Sequence, residues 1–278
     1  MASLLSSKSP VDGRHGGTGE RHAFDAATIK RQMIARRVSH APNVLDQLPL
    51  PLGYGRDMCG RFIQAMELDD YIDFFGAQVV RTESLKQSYN VAPTDLVYGL
   101  VDHEDHRTLG AFKWGLIPHY AKNRKTIHIN ARVESVATKP AFRDSFTRRR
   151  CLVPADGFYE WERRPDDTKQ PYFISLASGP MAFAGLWTRW RDPDTEERVV
   201  SCTVITTKAD PAIEGIHDRM PVSLSADLWD DWLDAEQHDV DTLEQILEAS
   251  QVNGLQFRPV PPLVNSVRNN GPELLAAY

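Results

Sequence analysis

Cysteine is scarce in this sequence, and no spacing pairs the cysteines that occur. The 278 residues contain three, Cys59, Cys151 and Cys202, and none belongs to a Cys-x-x-Cys pair. An odd number of widely separated cysteines argues against a disulfide framework and against a structural zinc site. We therefore expect a protein of the reducing cytoplasm, and we expect no metal and no cofactor.

Long apolar segments are missing as well. The sequence has no run of about 18 apolar residues, the length that a transmembrane helix needs. The N-terminus also lacks a charged stretch followed by an apolar one, which is the pattern of a secretory signal. We therefore expect neither a membrane partner nor a secretory signal.

An excess of positive charge is absent too. The net charge is -6, and residues 1–57 hold eight Lys and Arg against five Asp and Glu. The remaining residues hold 24 against 33, which gives them a net charge of -9. Contact with nucleic acid must then be confined to a local basic cleft. Arg61, Arg132 and the run Arg148-Arg149-Arg150 are the candidates for such a cleft.

Residues 1–57 differ in composition from the rest of the chain. The first twenty or so are rich in Ser, Gly and His, a composition that buries too little apolar surface to fold alone. A basic helix is predicted at 26–37, and an extended linker begins at Pro49. Two interpretations stay open, a basic arm that tethers DNA and a translated region upstream of a start at Met58.

Residues 58–278 have the short apolar runs and turns that are typical of an α+β domain. Strands are predicted at 60–63, 96–101, 109–114, 127–129, 150–154, 159–162, 172–176, 181–190 and 199–206. Helices are predicted at 68–75, 140–147, 226–233 and 240–250, and a turn at 89–94. Many short strands separated by Gly, Pro and Asp indicate curved, mainly antiparallel sheets.

Cys59 has the most distinctive chemistry in the sequence. If translation starts at Met58 and an aminopeptidase removes that methionine, the protein begins with Cys59. A terminal cysteine is a 1,2-aminothiol, which condenses with an aldehyde to an imine and then to a five-membered thiazolidine. An α-amine titrates near ~7.8 and a lysine near ~10.4, so far more of the terminal amine is neutral near pH 7. The alternative is an inert, buried residue at the start of a strand.

Four polar clusters are dense in residue types that catalyse reactions, and each lies beside a predicted turn. They occupy residues 130–134, 154–161, 217–221 and 265–274. Taken alone each is a weak signal, because His217 fits an ordinary loop histidine and Glu160 fits an outward position on a strand.

Together with Met58-Cys59-Gly60-Arg61-Phe62, these clusters resemble the SOS-response-associated peptidase (SRAP) family, proteins that crosslink to abasic sites in single-stranded DNA. The resemblance runs from Met58 to the C-terminus. Its further motifs are Trp114-Gly115-Leu116-Ile117-Pro118, Ile129-Asn130-Ala131-Arg132, Asp156-Gly157-Phe158-Tyr159-Glu160-Trp161, His217-Asp218-Arg219-Met220-Pro221 and Asn269-Asn270-Gly271-Pro272-Glu273-Leu274. It implies an α+β fold whose curved, mainly antiparallel sheets form an open barrel-like core with a few flanking helices.

The resemblance also implies catalytic roles for four residues. Cys59 resembles the crosslinking cysteine, and Asn130 the asparagine that hydrogen-bonds the reacting sugar or the terminal amine. Glu160 resembles the acid/base group beside that amine, and His217 the group that handles the proton on the opened deoxyribose oxygen. Carboxyl and imidazole groups suit this chemistry, because imine formation from a ring-closed sugar requires proton transfers near pH 7.

A second set of residues is implied in binding DNA. Arg61 and Arg132 resemble phosphate contacts, Trp114 and Tyr120 would shape a groove for unpaired bases, and Asn90 and Pro93 are assigned to the same surface. The chain departs from the family at one of these positions. Many relatives carry a tryptophan shortly after the Trp-Gly-Leu-Ile-Pro motif, where this chain has His119-Tyr120.

The function expected from this resemblance is a sensor of abasic sites in single-stranded DNA that shields the lesion in a thiazolidine crosslink. Two alternatives stay open, a thiol autopeptidase that cleaves before Cys59 and a non-enzymatic single-strand binder. We expect a monomeric cytoplasmic protein that associates with the nucleoid when it is bound to DNA.

Overall fold

Residues 59–250 and 254–278 are described by the computed structural model. Strands are the main regular elements, because apolar side chains alternate with polar ones where one face of a strand is covered and form continuous runs where both faces are covered. The predicted arm at 1–57 and Met58 lie outside the described residues. The expectations for them, including a domain that begins at Met58, therefore stay predictions.

Thirteen strands occur in the described ranges. They are β1 (Arg61–Gln64), β2 (Val79–Val80), β3 (Ser88–Val91), β4 (Leu96–Asp102), β5 (Arg107–Trp114), β6 (Asn130–Arg132), β7 (Arg150–Ala155), β8 (Gly157–Arg163), β9 (Lys169–Leu176), β10 (Met181–Arg191), β11 (Arg198–Lys208), β12 (Arg219–Pro221) and β13 (Leu255–Pro259). The α-helices of the same ranges are α1 (Leu68–Phe75), α2 (Arg143–Arg148), α3 (Trp229–Leu233) and α4 (Val240–Ala249). Short 3-10 helices lie at Val133–Ser135, Ala226–Leu228, Pro262–Asn265 and Pro272–Leu275.

The strands form two sheets. The first has the order β13-β9-β8-β1-β3, and its neighbouring strands are antiparallel. The second has the order β12-β11-β10-β7-β4-β5-β2, with β6 added beside β11. A parallel pairing of β11 with β5 connects two distant members of that order. Strands β5, β4, β7, β10 and β11 therefore form a ring, and the expected α+β fold with a barrel-like core is confirmed.

The main apolar core is shared by both sheets. Phe62 of β1, in the first sheet, packs edge-on against Trp114 of β5, with 4.8 Å between the ring centroids. The same ring lies 6.0 Å from Phe183 of β10. All three side chains are almost fully buried. Because β1 follows Cys59 by two residues, this packing fixes the position of that cysteine against the second sheet.

Helix α1 has the bounds that its sequence predicts. Asp69 and Asp70 lie in its first turn, where a negative charge is favourable, and Gly76 ends it in the left-handed conformation at a φ of 63°. Its apolar face buries Tyr71 and Phe75.

Three local predictions were wrong in position. The strand predicted at 127–129 is β6, at Asn130–Arg132, because its hydrogen-bonding register is set by β11, a distant partner. The turn predicted at 89–94 overlaps β3, which pairs with β1. The helix predicted at 140–147 is α2, which begins at Arg143 after a series of turns.

Gly157 offers a test of this packing at the start of β8. A Cβ atom there would lie 2.6 Å from the carbonyl oxygen of Ile174 and 2.4 Å from the Phe173 ring. We expect Gly157→Ala to lower the free energy of unfolding by about 1–3 kcal/mol in denaturant titrations, because the neighbouring strand must move. Gly215→Ala, at a position with no atom within 4 Å, should cost nothing measurable. Equal stability of the two variants would contradict the tight packing of β8 on β9.

Candidate active site

Cys59 is buried two residues before β1, with 4% of its surface exposed. Its thiol donates a hydrogen bond to the backbone oxygen of Arg219, with Sγ at 3.6 Å. Burial raises the pKa of this thiol well above its usual range, and the Glu160 carboxylate adds to the rise. Burial alone fits both the inert and the reactive interpretation of Cys59, so the polar groups around it decide between them.

Glu160 is the first of these groups. It lies on β8, one residue beyond Tyr159, which is the register partner of Arg61 on β1. The side chain is 3% exposed, and its Oε1 atom is buried without a hydrogen-bond partner among the described residues. Burial raises the pKa of Glu160 to about 7, although the neighbouring His217 and the Cys59 thiol both oppose the rise. A carboxyl with this pKa can both give and take a proton near neutral pH.

His217 faces the same carboxyl. Its Nε2 atom lies 3.9 Å from Glu160 Oε2, and its Nδ1 atom accepts a hydrogen bond from the backbone N–H of Arg219 at 3.0 Å. Nδ1 also lies 3.2 Å from Asp218 Oδ1 and 3.3 Å from the backbone oxygen of Arg219. The imidazole therefore stands between two carboxyl groups, with its Nε2 atom on the side of Glu160.

Arg219 supports both His217 and Cys59 through its backbone. Its guanidinium forms two hydrogen bonds with the carboxylate of Glu134, at 2.6 and 3.0 Å, and a third with the backbone oxygen of Thr206 at 2.7 Å. The side chain is buried on β12, and the paired arginine lowers the pKa of Glu134. Glu134 itself is exposed, but its bidentate pairing with the buried guanidinium holds the backbone of Arg219 in place.

Asn130 completes the surroundings of Cys59. It begins β6, which pairs in parallel with β11, and its Nδ2 atom donates to the backbone oxygen of Cys59 at 2.8 Å. Its Oδ1 atom is buried and has no partner within the described residues. The four residues predicted to act in catalysis therefore lie together, although they come from four separate segments of the sequence.

Arg61 and Asn90 are joined to each other and to the C-terminal segment. The Arg61 guanidinium donates to Asn90 Oδ1 at 2.9 Å and to the backbone oxygen of Val264 at 2.8 Å. The Asn90 amide donates to backbone oxygens of Ser266 and Asn269, at 3.0 Å each. Arg61 is half-buried, whereas Asn90 is 3% exposed and has no surface left for DNA. Asn90 therefore supports Arg61, and the predicted direct contact of its side chain with DNA does not fit this position.

Trp114 also departs from its expected role. It is 1% exposed, and its indole N–H donates to the backbone oxygen of Ile129 at 2.9 Å. A buried ring offers no face to a base, so Trp114 lines the small cavity beside Cys59 from within the core. The remaining predicted DNA contacts stay accessible, since Pro93 is half-buried, Arg132 is exposed and Tyr120 is 55% exposed.

Trp161 was not predicted as a site residue, although it follows Glu160 directly. Its ring lies 5.9 Å beneath the Arg61 guanidinium, and its indole N–H donates to Asn265 Oδ1 at 2.7 Å. The side chain is half-buried, so the ring is partly open to solvent. Alternation along β8 was the available signal, because a strand that buries Glu160 turns the next residue to its other face.

The described residues contain neither a membrane-spanning helix nor a cluster of metal-binding side chains. None of their helices is long and apolar enough to span a membrane. In the same ranges, no three His, Cys, Asp or Glu side chains gather in a way that could hold a metal ion.

A barrel-like α+β fold and a buried cysteine surrounded by carboxyl, imidazole and amide groups define a class of protein. The chain belongs to the SOS response associated peptidase (SRAP) family, whose model matches residues 58–267. The resemblance seen in the sequence motifs is thereby confirmed.

Relatives in this family bear names that describe a reaction. The chain is 40% identical over 225 residues to the abasic site processing protein YoqW of Bacillus subtilis (strain 168), covering 80% of this chain and 100% of YoqW. It is 32% identical over 225 residues to the abasic site processing protein YedK of Escherichia coli (strain K12), covering 78% of this chain and 99% of YedK. A crystal structure of a Bacteroides thetaiotaomicron protein shares the fold, with a TM-score of 0.69, 21% identity, and coverage of 79% of this chain and 100% of that one.

The raised pKa of Glu160 has a consequence for stability. The carboxyl titrates at about 7 in the folded protein and at its ordinary value of 4.5 when it is exposed. Between these pH values the unfolded chain releases a proton that the folded chain keeps, so this group lowers stability as pH rises from 4.5 to 7.

We therefore expect Glu160→Gln to raise the free energy of unfolding at pH 8 by roughly 1–3 kcal/mol, because no charge is then buried. The gain should disappear at about pH 4. Denaturant titrations at both pH values measure it, with Glu248→Gln, at an exposed position on α4, as the control. A gain that does not depend on pH would show that Glu160 is not the titrating group.

Proposed function

We propose that this protein recognises abasic sites in single-stranded DNA and binds them covalently, through a thiazolidine formed by the amine and thiol of Cys59. The names of the relatives support the abasic site as substrate, and the surroundings of Cys59 support the covalent step. The proposal requires that Cys59 is the first residue of the active protein.

One observation carries the proposal. Two buried acceptor atoms, Asn130 Oδ1 and Glu160 Oε1, have no partner within the described residues, and both side chains adjoin Cys59. An unpaired buried acceptor costs about 1–3 kcal/mol. A free α-amine at Cys59 would supply N–H donors for such acceptors. If Cys59 were an inert residue at the start of a strand, the two unpaired acceptors would lower stability and serve no function.

The reaction balances without a cofactor. The open-chain abasic sugar presents an aldehyde at C1′, and the neutral amine of Cys59 adds to it to give a carbinolamine. Loss of water gives the imine, for which Glu160 supplies the proton on the departing hydroxyl. The Cys59 sulfur then adds to C1′, and the thiol proton ends on nitrogen as the ring closes. One water is released and nothing is oxidised or reduced.

His217 has a separate task in this scheme. The ring-closed sugar must open before its aldehyde can react, and opening leaves a hydroxyl at C4′ that needs a proton. A protonated His217 supplies this proton from Nε2, which faces the Glu160 carboxyl at 3.9 Å. Arg132 and the Arg61–Trp161 pair lie on elements beside Cys59, where phosphates and an unpaired base would be held.

Removing the thiol tests the covalent step. In a protein that begins at Cys59, we expect Cys59→Ala to abolish the heat-stable adduct with an abasic oligonucleotide, while weak binding to intact single strands persists. Denaturing gel electrophoresis measures the adduct. Cys202→Ala, which removes a thiol buried in the core, should still crosslink. A heat-stable adduct of Cys59→Ala would refute the assignment.

The second test concerns the nitrogen of Cys59, which is an amide wherever Met58 precedes it. An acylated nitrogen forms neither an imine nor a thiazolidine. A chain expressed from Met58 should therefore crosslink abasic DNA once its methionine is removed, and a chain that retains residues 1–58 should not. Intact mass establishes which form is present and reveals any self-cleavage before Cys59. Equal crosslinking by an unprocessed long form would contradict the proposal.

A further inference from the structure

Three arginines on one face of the protein carry charges that the described residues do not balance. They are Arg148 and Arg149, at the end of α2, and Arg189 on β10, and none forms a salt bridge or a side-chain hydrogen bond within those residues. Other arginines of the same ranges are paired: Arg124 with Asp192 and Glu197, and Arg219 with Glu134.

These three side chains line a cleft, called here the arginine cleft, with a volume of about 790 Å³. Arg149 Nε is buried in it without a partner among the described residues. Burial lowers the pKa of Arg149 and the charge of Arg148 adds to this, while Asp144, the acidic residue of the cleft, opposes it. One carboxylate against three guanidiniums leaves an excess of positive charge, which favours an anionic ligand.

The position of Arg189 is fixed by its surroundings. Its guanidinium lies 5.4 Å above the ring of Trp187, which is itself tied down on both sides of its backbone. The Trp187 N–H donates to the Arg149 backbone oxygen at 2.9 Å, and its carbonyl oxygen accepts from Ser145 at 3.0 Å. The favourable interaction of cations with a helix C-terminus accounts for Arg148 on α2. It does not account for Arg189, which belongs to a strand.

The arginine cleft lies along the same sheet as the candidate active site. Gly185 of β10 pairs with Val204 of β11, and Val204 lines the cavity beside Cys59. Arg189 is four residues further along β10, about 13 Å from Gly185 along the strand.

An exposed aromatic residue, Tyr120, lies beside the arginine cleft. Tyr120 directly follows His119, which lines the cleft, and the two rings lie 5.3 Å apart. The loop that carries them is anchored at Ile117, whose N–H donates to Ser201 Oγ at 2.9 Å and whose carbonyl oxygen accepts from Thr188 at 2.7 Å. Basic side chains beside an open aromatic face are the combination that holds unpaired nucleotides.

We propose that the arginine cleft binds backbone phosphates of the single strand on one side of the abasic site, beyond the nucleotides that adjoin Cys59. This inference rests on the proposed function, because it continues the strand that the active site would hold. A free phosphate ion fits the cleft less well, because the three guanidiniums line a cleft far larger than one ion needs.

The test uses the full chain and strands that cannot crosslink. Each strand carries a reduced abasic sugar, which has no aldehyde. The short strand has about two nucleotides on each side of that sugar. The two extended strands have about six more nucleotides, one on the 5′ side alone and the other on the 3′ side alone. Fluorescence anisotropy at several salt concentrations measures binding by Arg148→Ala, Arg149→Gln and Arg189→Ala. Arg81→Ala, at an exposed position with one weak ion pair, is the matched control.

Each of the three variants should bind one of the two extended strands about threefold to fivefold more weakly than the unaltered protein. The slope of log K against log salt should fall by about 0.7 for each lost phosphate contact. The short strand should bind all variants equally, and Arg81→Ala should behave like the unaltered protein. Arg189→Lys, which keeps the charge, should retain most of the binding.

Unchanged affinity and salt slope on both extended strands would overturn the proposal. So would an equal loss of binding for Arg189→Lys and Arg189→Ala, because the effect would then be structural. Failure of the proposed function has a different signature. In that case the cleft variants still bind an extended strand more weakly than the unaltered protein does. The unaltered protein, however, binds strands with the abasic sugar no more tightly than strands of the same length without it.

Discussion

The parallel pairing of β11 with β5 and β6 is the constraint on which the rest of the structure depends. Pairing with β5 closes the ring of five strands, and pairing with β6 places Asn130 beside Val204. From there the Asn130 amide reaches the backbone oxygen of Cys59. Parallel pairing needs a long connection between its strands, and here the connection carries α2 and the strands β7 to β10. One set of backbone hydrogen bonds therefore shapes both the core and the active site.

Charge is buried around Cys59 at a cost that the fold must offset elsewhere. The buried Arg219 guanidinium pairs through two hydrogen bonds with the exposed carboxylate of Glu134, whereas Glu160 has an unpaired oxygen and a pKa raised to about 7. Such a group destabilises the folded state above its ordinary pKa. A buried carboxyl with a perturbed pKa is characteristic of functional sites. The Phe62–Trp114–Phe183 packing behind Cys59 supplies apolar burial at the same place.

The C-terminal segment holds residues of β1 and β3 in place through hydrogen bonds. Residues in the 3-10 helix Pro262–Asn265 and in the turn after it accept hydrogen bonds from Arg61 and Asn90, and Asn270 accepts from the backbone of Tyr89. The polar cluster at 265–274 is therefore structural, since it anchors the strand β3 and orients an arginine. A similar explanation holds for Asp156, whose carboxylate accepts from two backbone N–H groups and from the Tyr71 hydroxyl. Both belong to motifs that looked catalytic in the sequence.

The sequence alone determined the elements whose signals are local. Helix α1 has the bounds that its amphipathic pattern predicted, and long strands such as β10 lie where apolar runs predicted them. Motif order also brought out Cys59, Asn130, Glu160 and His217, because residue types with matched chemistry recur in a fixed order. The tertiary structure decided what depends on distant partners. It shifted the predicted strand at 127–129 to β6, since register is set by β11.

Burial could not be read from the motifs either. Trp114 and Asn90 looked like DNA contacts in the sequence. The Trp114 ring is packed in the core, and the Asn90 amide forms its hydrogen bonds with the C-terminal segment. Arg148, Arg149 and Arg189 are separated by about forty residues in sequence, and only the pairing of β10 with β7 and β11 brings them to one cleft. Sequence patterns fix which chemistry a residue can perform. Which side of the protein it faces, and what lies next to it, follows from long-range strand pairing.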